Sequence, residues 1–359
     1  MESSDRNILI TGGLGYIGSH TVVHFAENRG YSRIIIVDDL SNSSIEVYDK
    51  IHQILCDTSI EIIFEEVDCA NFNQMDDKVF SKYDIHEIIH FAGSKDVNES
   101  FSLPLLYYEN NVMSTINLLK LVDKYKGTCK AFIVSSTAAV YSDQEFTEES
   151  ETEPTNPYSR SKLMIEQILK DYSRCNNRIF CISFRYFNPV GAHPSGMIGE
   201  NPGKPTNIMP VLQEVATQKR DHIDIYGADY DTEDGTCERD YIHVIDVSNA
   251  HLCAMKYISN LTTFKKDENF ETINISTGKP TSVLELIRVF EEATGKTLPY
   301  KMSDRREGDK AFSKGSTDKA KRLLNFEPKY SLKEACQHSW KWIKGQLEGY
   351  SKIDKAVKS

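Results

Sequence analysis

The hydrophobic residues in the first half of the chain form short, nearly continuous runs separated by longer amphipathic stretches. Runs rich in valine and isoleucine without strict polar alternation are typical of strands buried on both faces of a parallel sheet. The stretches between them have helical periodicity, so the pattern predicts a doubly wound α/β fold. The predicted strands lie in NILITG, RIIIVDD, IEIIFEEVD, HEIIHFAG, AFIVSST and RIFCISFRYF, and the predicted helices cover 16–29, 45–55, 71–82, 104–126 and 158–174.

The composition and the periodicity of the sequence change after residue 189. Two segments rich in proline and glycine follow, NPVGAHPSG and GENPGKPTN, and then a mixture of helices and short strands. We expect a first domain over 1–189 and a smaller C-terminal α/β domain over 190–359, with some later segments returning to the first domain. A chain of 359 residues is long enough for two lobes and a ligand cleft between them.

Composition and charge exclude several classes of protein. Apolar residues make up 40% of the chain and charged residues 26%, which is typical of a globular enzyme and not of a disordered chain. The net charge of −11 comes without a run of lysine and arginine, so a nucleic-acid partner is not expected. The eight cysteines show neither disulfide nor zinc-ligand spacing, and no metal site is predicted. With no signal segment and no long apolar run, we expect a cytoplasmic protein without a membrane anchor.

A glycine-rich segment, TGGLGYIGSH, follows the first predicted strand and opens the first predicted helix. Gly12, Gly15 and Gly18 stand where the backbone of a dinucleotide-binding fold approaches a pyrophosphate at a helix N-terminus. Asp38 ends the second predicted strand, 20 residues after Gly18. A carboxylate there accepts hydrogen bonds from a ribose and repels a 2′-phosphate, so the pattern favours NAD over NADP in a Rossmann-like domain. The alternative is a glycine turn that serves packing alone.

Further polar residues follow the carboxyl ends of other predicted strands. Asp68 is placed for the adenine, and Lys95 and Asn110 are placed for the ribose and nicotinamide. Ligands of open α/β sheets collect at this edge, and the three residues together favour a binding role. Each of them taken alone could equally be a solvated loop residue.

A tyrosine and a lysine lie one helical turn apart in NPYSRSKLMIEQ. On a helix Tyr158 and Lys162 share a face, and the predicted strand AFIVSST brings the hydroxyl of Thr137 to the same edge of the sheet. Hydroxyl, phenol and ammonium beside a nicotinamide form an acid/base site. We expect Lys162 and the nicotinamide cation to lower the pKa of the phenol. An exposed Tyr and Lys on an ordinary helix is the alternative.

These motifs together make the chain resemble the extended short-chain dehydrogenases/reductases and, among them, the UDP-glucose 4-epimerase family. The resemblance runs through TGGLGYIGSH, HFAGSKDVNES, YYENNV, SSTAAVY, NPYSRSKLMIEQ, RYFNPVGAHPSG, DGTCERDYIHV and RREGD. It implies catalysis by Thr137, Tyr158 and Lys162, a second domain that binds a UDP-sugar, and a homodimer formed through helices 104–126 and 158–174. The cofactor contacts it implies are Gly12, Gly15, Tyr16, Ile17, Gly18, Asp38, Asp68, Lys95, Asn110, Lys162 and Tyr186. The substrate contacts it implies are Thr137, Tyr158, Asn188, Asn207, Tyr226, Arg239, Arg306, Asp309 and Ser313.

The two residues after Thr137 separate the reactions that this superfamily performs. Related 4,6-dehydratases typically carry Asp-Glu where this chain has Ala138 and Ala139, and methyl groups cannot assist an elimination. The expected reaction is therefore reversible epimerisation at C4 of UDP-glucose and UDP-galactose through a transient 4-keto sugar. A nucleotide-sugar dehydrogenase or dehydratase and a non-catalytic NAD-binding regulator remain alternatives.

Arg239 and Arg306 suit a diphosphate, although isolated surface ion pairs would look the same. The small Ser313 leaves room for an N-acetyl group and predicts that UDP-N-acetylhexosamines are also accepted.

Overall fold

A computed structural model describes residues 6–357 except 29, 127, 143–144, 204, 265–267 and 307–308. The strands of the described chain are β1 Asn7–Thr11, β2 Arg33–Asp38, β3 Glu61–Glu66, β4 Glu87–His90, β5 Ala131–Thr137, β6 Glu145–Phe146, β7 Phe180–Tyr186, β8 Asn188–Val190, β9 Ile223–Tyr226, β10 Glu238–His243, β11 Phe270–Ile275, β12 Pro280–Ser282, β13 Tyr300–Ser303 and β14 Lys314–Gly315. The α-helices are α1 Tyr16–Asn28, α2 Glu46–Ile54, α3 Phe72–Met75, α4 Val97–Ser102, α5 Pro104–Tyr107, α6 Ser114–Lys124, α7 Pro157–Cys175, α8 Ile208–Ala216, α9 Val244–Asn260, α10 Val283–Thr294, α11 Asp318–Leu324 and α12 Leu332–Val357.

Seven parallel strands form the main sheet in the order β3-β2-β1-β4-β5-β7-β11. The order reverses between β1 and β4, which opens a crevice at their carboxyl ends, where such sheets bind ligands. Every residue of β1 and β7 is buried, which explains why both strands are mostly apolar and lack a strict polar alternation in the sequence. The predicted Rossmann-like fold is confirmed.

Two apolar clusters cover the two faces of this sheet. Ile8, Ile10 and Phe25 belong to the cluster that includes α1 and α9, and Leu9 and Leu118 belong to the opposite one. Alternate residues of β1 thus point to opposite faces, as the strand period of two requires. Among the described residues, no helix is long and apolar enough to cross a membrane.

The C-terminal half builds a second, smaller lobe and also completes the first. Strands β8, β10 and β12 form one small sheet, and β9 pairs with β13 in another. A third apolar cluster, with Leu212, Leu286 and Phe290, packs between α8, α10 and α12. Strand β11, however, extends the main sheet beside β7, and α9 packs on α1. The division at residue 189, with later segments that return to the first domain, stays a prediction.

The predicted helix over 104–126 is interrupted. Helix α5 gives way to a π-helical stretch over Tyr108–Met113 before α6 begins. The predicted helix over 71–82 is also divided, into α3 and a π-helical stretch over Asp76–Phe80. Wider π turns often mark functional sites, and the first of them contains Asn110 and Asn111.

Candidate active site

The glycine loop between β1 and α1 is packed too tightly for side chains. Gly12 has a φ of +64°, and a Cβ on it would lie 2.7 Å from the Ala92 backbone nitrogen. A Cβ on Gly18 would lie 2.1 Å from the Gly12 carbonyl oxygen, and one on Gly15 would lie 3.2 Å from that same oxygen. The glycines therefore allow the first turn of α1 to pack on the end of β1, with its N-terminus facing the crevice.

Asp38 lies at the end of β2, where the sequence predicted it, and it is buried. Its carboxylate accepts hydrogen bonds from the Leu14 N–H at 3.0 Å, the Leu40 N–H at 3.1 Å and the Ser43 hydroxyl at 2.7 Å. Burial raises the pKa of Asp38, and these hydrogen bonds act in the opposite direction. The contact with Leu14 ties the carboxylate to the glycine loop. Asp68, which follows β3, is exposed and accepts a hydrogen bond from the Ala70 N–H.

The loop after β4 connects the predicted cofactor residues to a buried asparagine. Asn110 donates a hydrogen bond to the Ser94 hydroxyl at 3.1 Å. Asn111 accepts from the Ser94 N–H at 2.7 Å and donates to the Ser161 hydroxyl at 2.9 Å. The π-helical stretch thus clamps this loop to α7. Lys95 forms an ion pair of 3.1 Å with Glu200, a residue of the second lobe.

Helix α7 carries Tyr158 and Lys162 in its first two turns. Asn156 caps the helix by accepting a hydrogen bond from the Ser159 N–H at 2.8 Å, and Pro157 occupies the first position. Asn-Pro-Tyr therefore starts the helix at this point and fixes the position of the phenol. The ring of Tyr158 packs edge-on against Tyr107, with their centroids 6.4 Å apart. Lys162 is buried, and its Nζ lies 3.4 Å from the Ser135 Oγ at the end of β5.

Thr137 reaches the phenol from the end of β5. Its Oγ1 accepts a hydrogen bond from the Ala139 N–H at 3.1 Å, which leaves the hydroxyl proton for the oxygen of Tyr158. Burial raises the pKa of Tyr158 to about 12, and the hydrogen bond from Thr137 acts against that rise. Burial also lowers the pKa of Lys162 to about 8. The sequence correctly predicted the juxtaposition of Thr137 and Tyr158, but the protein groups alone do not lower the pKa of the phenol.

Three further residues predicted to contact the cofactor hold elements together around it. The Tyr16 hydroxyl donates to the Gly191 carbonyl at 2.8 Å, which joins the glycine loop to the second lobe. Ile17 packs against the core cluster on the α1 side of the sheet. The Tyr186 hydroxyl lies 2.8 Å from the His251 Nε2, and burial raises the pKa of Tyr186 well above its usual value.

Five of the residues predicted to bind substrate lie together in the second lobe. The guanidinium of Arg306 stacks on the ring of Tyr226, 3.7 Å from its centroid. Arg239 lies 3.4 Å from the Asp309 carboxylate and donates to the Lys310 carbonyl at 2.8 Å. The Ser313 N–H donates to the Glu238 carbonyl, so Ser313 lies beside Arg239. Two guanidinium groups and a carboxylate held by backbone contacts suit a diphosphate and a ribose.

Two asparagines predicted to bind substrate lie in β8 and directly before α8. Asn188, in β8, donates to the Asp240 carbonyl at 3.0 Å. Asn207 precedes α8, but its side chain donates to Glu200 at 2.7 Å and makes no capping hydrogen bond. Both side chains are thus oriented by neighbours that lie in the second lobe.

Comparison with known proteins identifies the family. Residues 9–339 match the family model described as GDP-mannose 4,6 dehydratase. UDP-glucose 4-epimerase 2 of Arabidopsis thaliana is 42% identical over 350 residues, which cover 96% of this chain and 97% of that protein. The chain belongs to the UDP-glucose 4-epimerase family. The family that the sequence motifs predicted is therefore confirmed.

Solved structures of epimerases have the same fold over nearly the whole chain. The UDP-glucose-4-epimerase of Stenotrophomonas maltophila, with bound NAD and formylated UDP-arabinopyranose, is 36% identical with a TM-score of 0.88, covering 96% of this chain and 99% of that one. The UDP-Glc/GlcNAc 4-epimerase of Campylobacter jejuni is 35% identical with a TM-score of 0.80, covering 95% and 99%.

This member of the epimerase family has a site that fits NAD. The tight packing around Gly12 and Gly18 brings the N-terminus of α1 to the end of β1, and Asp38 holds a buried carboxylate beside the glycine loop. These residues suit a pyrophosphate and an adenosine ribose. Lys95, Asn110 and Lys162 lie at the same carboxyl edge of the sheet.

Sequence reasoning assigned no contact to three residues that lie in this region. Asn111 lies next to the predicted Asn110 and is the buried member of the pair. Ser135 contacts Lys162, and its place two residues before Thr137 was a usable signal because both side chains then point to the same face. Glu200 contacts both Lys95 and Asn207, and no local pattern in GENPGKPTN distinguishes it from a solvated loop carboxylate.

Proposed function

We propose that this protein is a UDP-glucose 4-epimerase that interconverts UDP-glucose and UDP-galactose through a 4-keto sugar, with NAD as its cofactor. The observation that carries the proposal is the convergence of Thr137, Tyr158 and Lys162 at the carboxyl edge of the sheet, beside the glycine loop. Membership of the epimerase family favours this reaction over a nucleotide-sugar dehydrogenase or dehydratase.

Tyr158 is the proton acceptor in this mechanism. Its phenolate takes the proton of the sugar 4-hydroxyl, and the Thr137 hydroxyl donates a hydrogen bond to the phenolic oxygen. NAD, when bound, would supply the acceptor for the C4 hydride, which would return to the opposite face of the ketone. Tyr158 then returns its proton to the new hydroxyl, so the residue ends the cycle as the phenolate. Ala138 and Ala139 offer no acid or base for a competing elimination.

Lys162 supplies positive charge to a buried site. Its Nζ lies at the end of β5 near Ser135, one helical turn from the phenol on the same face of α7. Burial disfavours the isolated charges of both the ammonium and the phenolate, because each loses its hydration. Their opposite charges compensate each other when both are present, so Lys162 favours the phenolate form of Tyr158, which is the form that can accept a proton.

The second lobe holds the substrate through its nucleotide. Arg239 and Arg306 bind the diphosphate, Asp309 accepts a hydrogen bond from a ribose hydroxyl, and Tyr226 orients Arg306 by stacking. Because these contacts avoid the hexose, the 4-keto sugar can turn over while its UDP stays bound. This is what return of the hydride to the other face requires.

The activity is tested by adding UDP-glucose to the purified protein without NAD. We expect UDP-galactose to form with no lasting absorbance of NADH, since a resident cofactor is regenerated in each cycle. NADH that accumulates in step with substrate loss once NAD is supplied would identify a dehydrogenase. A 4-keto-6-deoxy product would identify a dehydratase.

We also propose that the enzyme accepts UDP-N-acetylglucosamine, because the small side chain of Ser313 leaves room beside the sugar. Ser313→Tyr is expected to remove activity on UDP-N-acetylglucosamine while UDP-glucose activity stays within about threefold. A bulky ring excludes an N-acetyl group by steric overlap, which costs far more than one lost contact. Rates with both substrates are the measurement, and Ser313→Ala, which keeps the room, is the control. Equal loss on both substrates would contradict the proposal.

We propose a homodimer formed through an apolar face that α4, α5, the π-helical stretch over Tyr108–Met113 and α7 share. Here that face means the exposed side chains Phe101, Leu103, Leu105, Leu106, Met113 and Met164. A groove beside them is lined by Val112, Leu163, Met164 and Ile168. Leu105 is 73% exposed, and such a patch is unusual on a monomer. A second copy of this chain covers it by helix packing across a two-fold axis.

Leu105→Glu is expected to convert the dimer to a monomer, since a carboxylate cannot be buried there without a partner. Sedimentation velocity measures the change. Met302→Glu alters an exposed apolar residue of β13 instead and should leave the dimer intact. A wild-type monomer would overturn the proposal.

A cytoplasmic location is proposed for the same protein. All eight cysteines are free thiols, and six of them are at least partly buried. Free thiols in this number are typical of a reducing compartment.

A further inference from the structure

Glu200 is a buried carboxylate in the loop between β8 and α8. Its side chain is 6% exposed, and its Oε1 accepts hydrogen bonds from the Lys95 Nζ at 3.1 Å and the Asn207 Nδ2 at 2.7 Å. The two donors belong to different lobes. Lys95 follows β4 of the main sheet, at the expected position of the cofactor, and Asn207 precedes α8 at the expected position of the UDP-sugar.

The loop that carries Glu200 is firmly anchored. The His193 N–H donates to the Ile198 carbonyl at 3.1 Å, and Ala192 pairs with Gly199. A Cβ on Gly199 would lie 2.6 Å from the indole of Trp342, so the backbone is pressed against α12. A carboxylate on such a loop has little freedom to follow either donor.

Tyr16 brings the glycine loop to the same region. Its hydroxyl donates to the Gly191 carbonyl, and the negative charge of Glu200 contributes to raising the pKa of the phenol. Glu200 is therefore close enough to act electrostatically on the glycine loop, in addition to its direct contacts with Lys95 and Asn207.

We propose that Glu200 is a positioning residue that couples the NAD site to the UDP-sugar site. One carboxylate oxygen holds Lys95 in place for the cofactor and Asn207 in place for the substrate. A displacement of either donor changes the hydrogen bond available to the other, so the two ligands influence each other through Glu200. The inference rests on the proposed function for the identity of the ligands.

Two substitutions separate the contacts. Glu200→Gln keeps an oxygen that can accept from Asn207 but loses the charge that pairs with Lys95. Glu200→Ala loses both contacts. We expect Glu200→Gln to release NAD about 10-fold faster than the wild type, while its Kd for UDP stays within about threefold of the wild-type value. Glu200→Ala should release NAD about 10-fold faster and also raise the Kd for UDP about 10-fold. Both changes lie within the usual range of coupling between sites.

The experiment measures the release rate of resident NAD and the Kd of UDP by calorimetry on the purified holoenzyme. A Lys95→Met background should abolish most of the effect of Glu200→Gln on NAD, because contacting residues are not additive. Where turnover is detected, Glu200→Ala should raise KM for UDP-glucose more than it lowers kcat. Glu327→Gln, in an exposed ion pair with Lys321, is the control and should change nothing.

Two outcomes would overturn the coupling. The first is that both Glu200 variants release NAD and bind UDP as the wild type does. The second is that the effects of Glu200→Gln and Lys95→Met on NAD release are additive. Loss of thermal stability with unchanged ligand binding would likewise show a purely structural carboxylate. The binding measurements do not depend on turnover. A wild type that fails to epimerise but shows the expected binding changes would therefore refute the proposed function and leave the coupling in place.

Discussion

Replacing Tyr158 by phenylalanine is expected to lower kcat for epimerisation about a thousandfold, within the 10²–10⁴ range for loss of a general acid/base group. The variant keeps the aromatic ring that packs on Tyr107 and loses only the oxygen that exchanges the proton. Without it, the 4-hydroxyl must release its proton to water as the hydride leaves. Initial rates of UDP-galactose formation measure the loss, and the NAD content should equal that of the wild type.

Tyr172→Phe is the matched control for this variant. Tyr172 lies on the same helix, and its hydroxyl donates to Asp123 at 2.9 Å and accepts from the Asn176 side chain at 3.1 Å. Removal of these two hydrogen bonds should cost about 2 kcal/mol of stability and leave kcat unchanged. A Tyr158→Phe enzyme that retained a tenth or more of the wild-type kcat would show that another group accepts the proton.

Replacing Gly18 by alanine is expected to have the largest effect on stability and on cofactor binding. The added methyl group would lie 2.1 Å from the Gly12 carbonyl oxygen and 2.8 Å from the Gly13 Cα. Both neighbours are backbone atoms, so the methyl fits only if α1 moves away from β1. We expect the free energy of unfolding to fall by about 3 kcal/mol, at the upper end for overpacking, and the NAD content of the purified protein to fall below a tenth. Denaturant unfolding and absorbance of released NAD are the measurements.

Gly203→Ala provides the control for that substitution. A Cβ on Gly203 would meet no atom within 4 Å, and the residue lies in the loop before α8. Its stability and NAD content should match those of the wild type. If Gly18→Ala behaved in the same way, the close approach of α1 to β1 would not be what forms the cofactor site.

The local sequence was sufficient for the elements that lie within one apolar run or one cap. Strand β5 covers Ala131–Thr137, as the run AFIVSST predicted, because residues buried on both faces must all be apolar or small. Helix α7 begins at Pro157 because Asn156 and Pro157 are a cap and a first residue that need no tertiary partner. The spacing of Tyr158 and Lys162 then follows from the helical repeat alone.

The local sequence pattern could not predict that the helix over 104–126 is interrupted. Its apolar periodicity continues through YENNVM, but Asn111 binds Ser94 and Ser161, and the backbone opens into π turns to allow it. Those partners lie 17 and 50 residues away. A hydrogen bond between residues so far apart in the chain does not affect the spacing of apolar and polar residues near either partner.

The chain's own residue pattern thus established a parallel sheet, a glycine loop with Asp38 as its acidic partner, and a tyrosine and lysine on one helical face. Each of these depends on neighbours a few residues apart or on a strand that is buried throughout. The tertiary structure decided which charged and polar side chains contact one another. It placed Lys162 near Ser135, gave Tyr158 a raised pKa because of burial, and set Glu200 between Lys95 and Asn207. Burial and long-range contacts are properties of the packed chain, and a shifted pKa or a buried ion pair arises only once packing has removed the water.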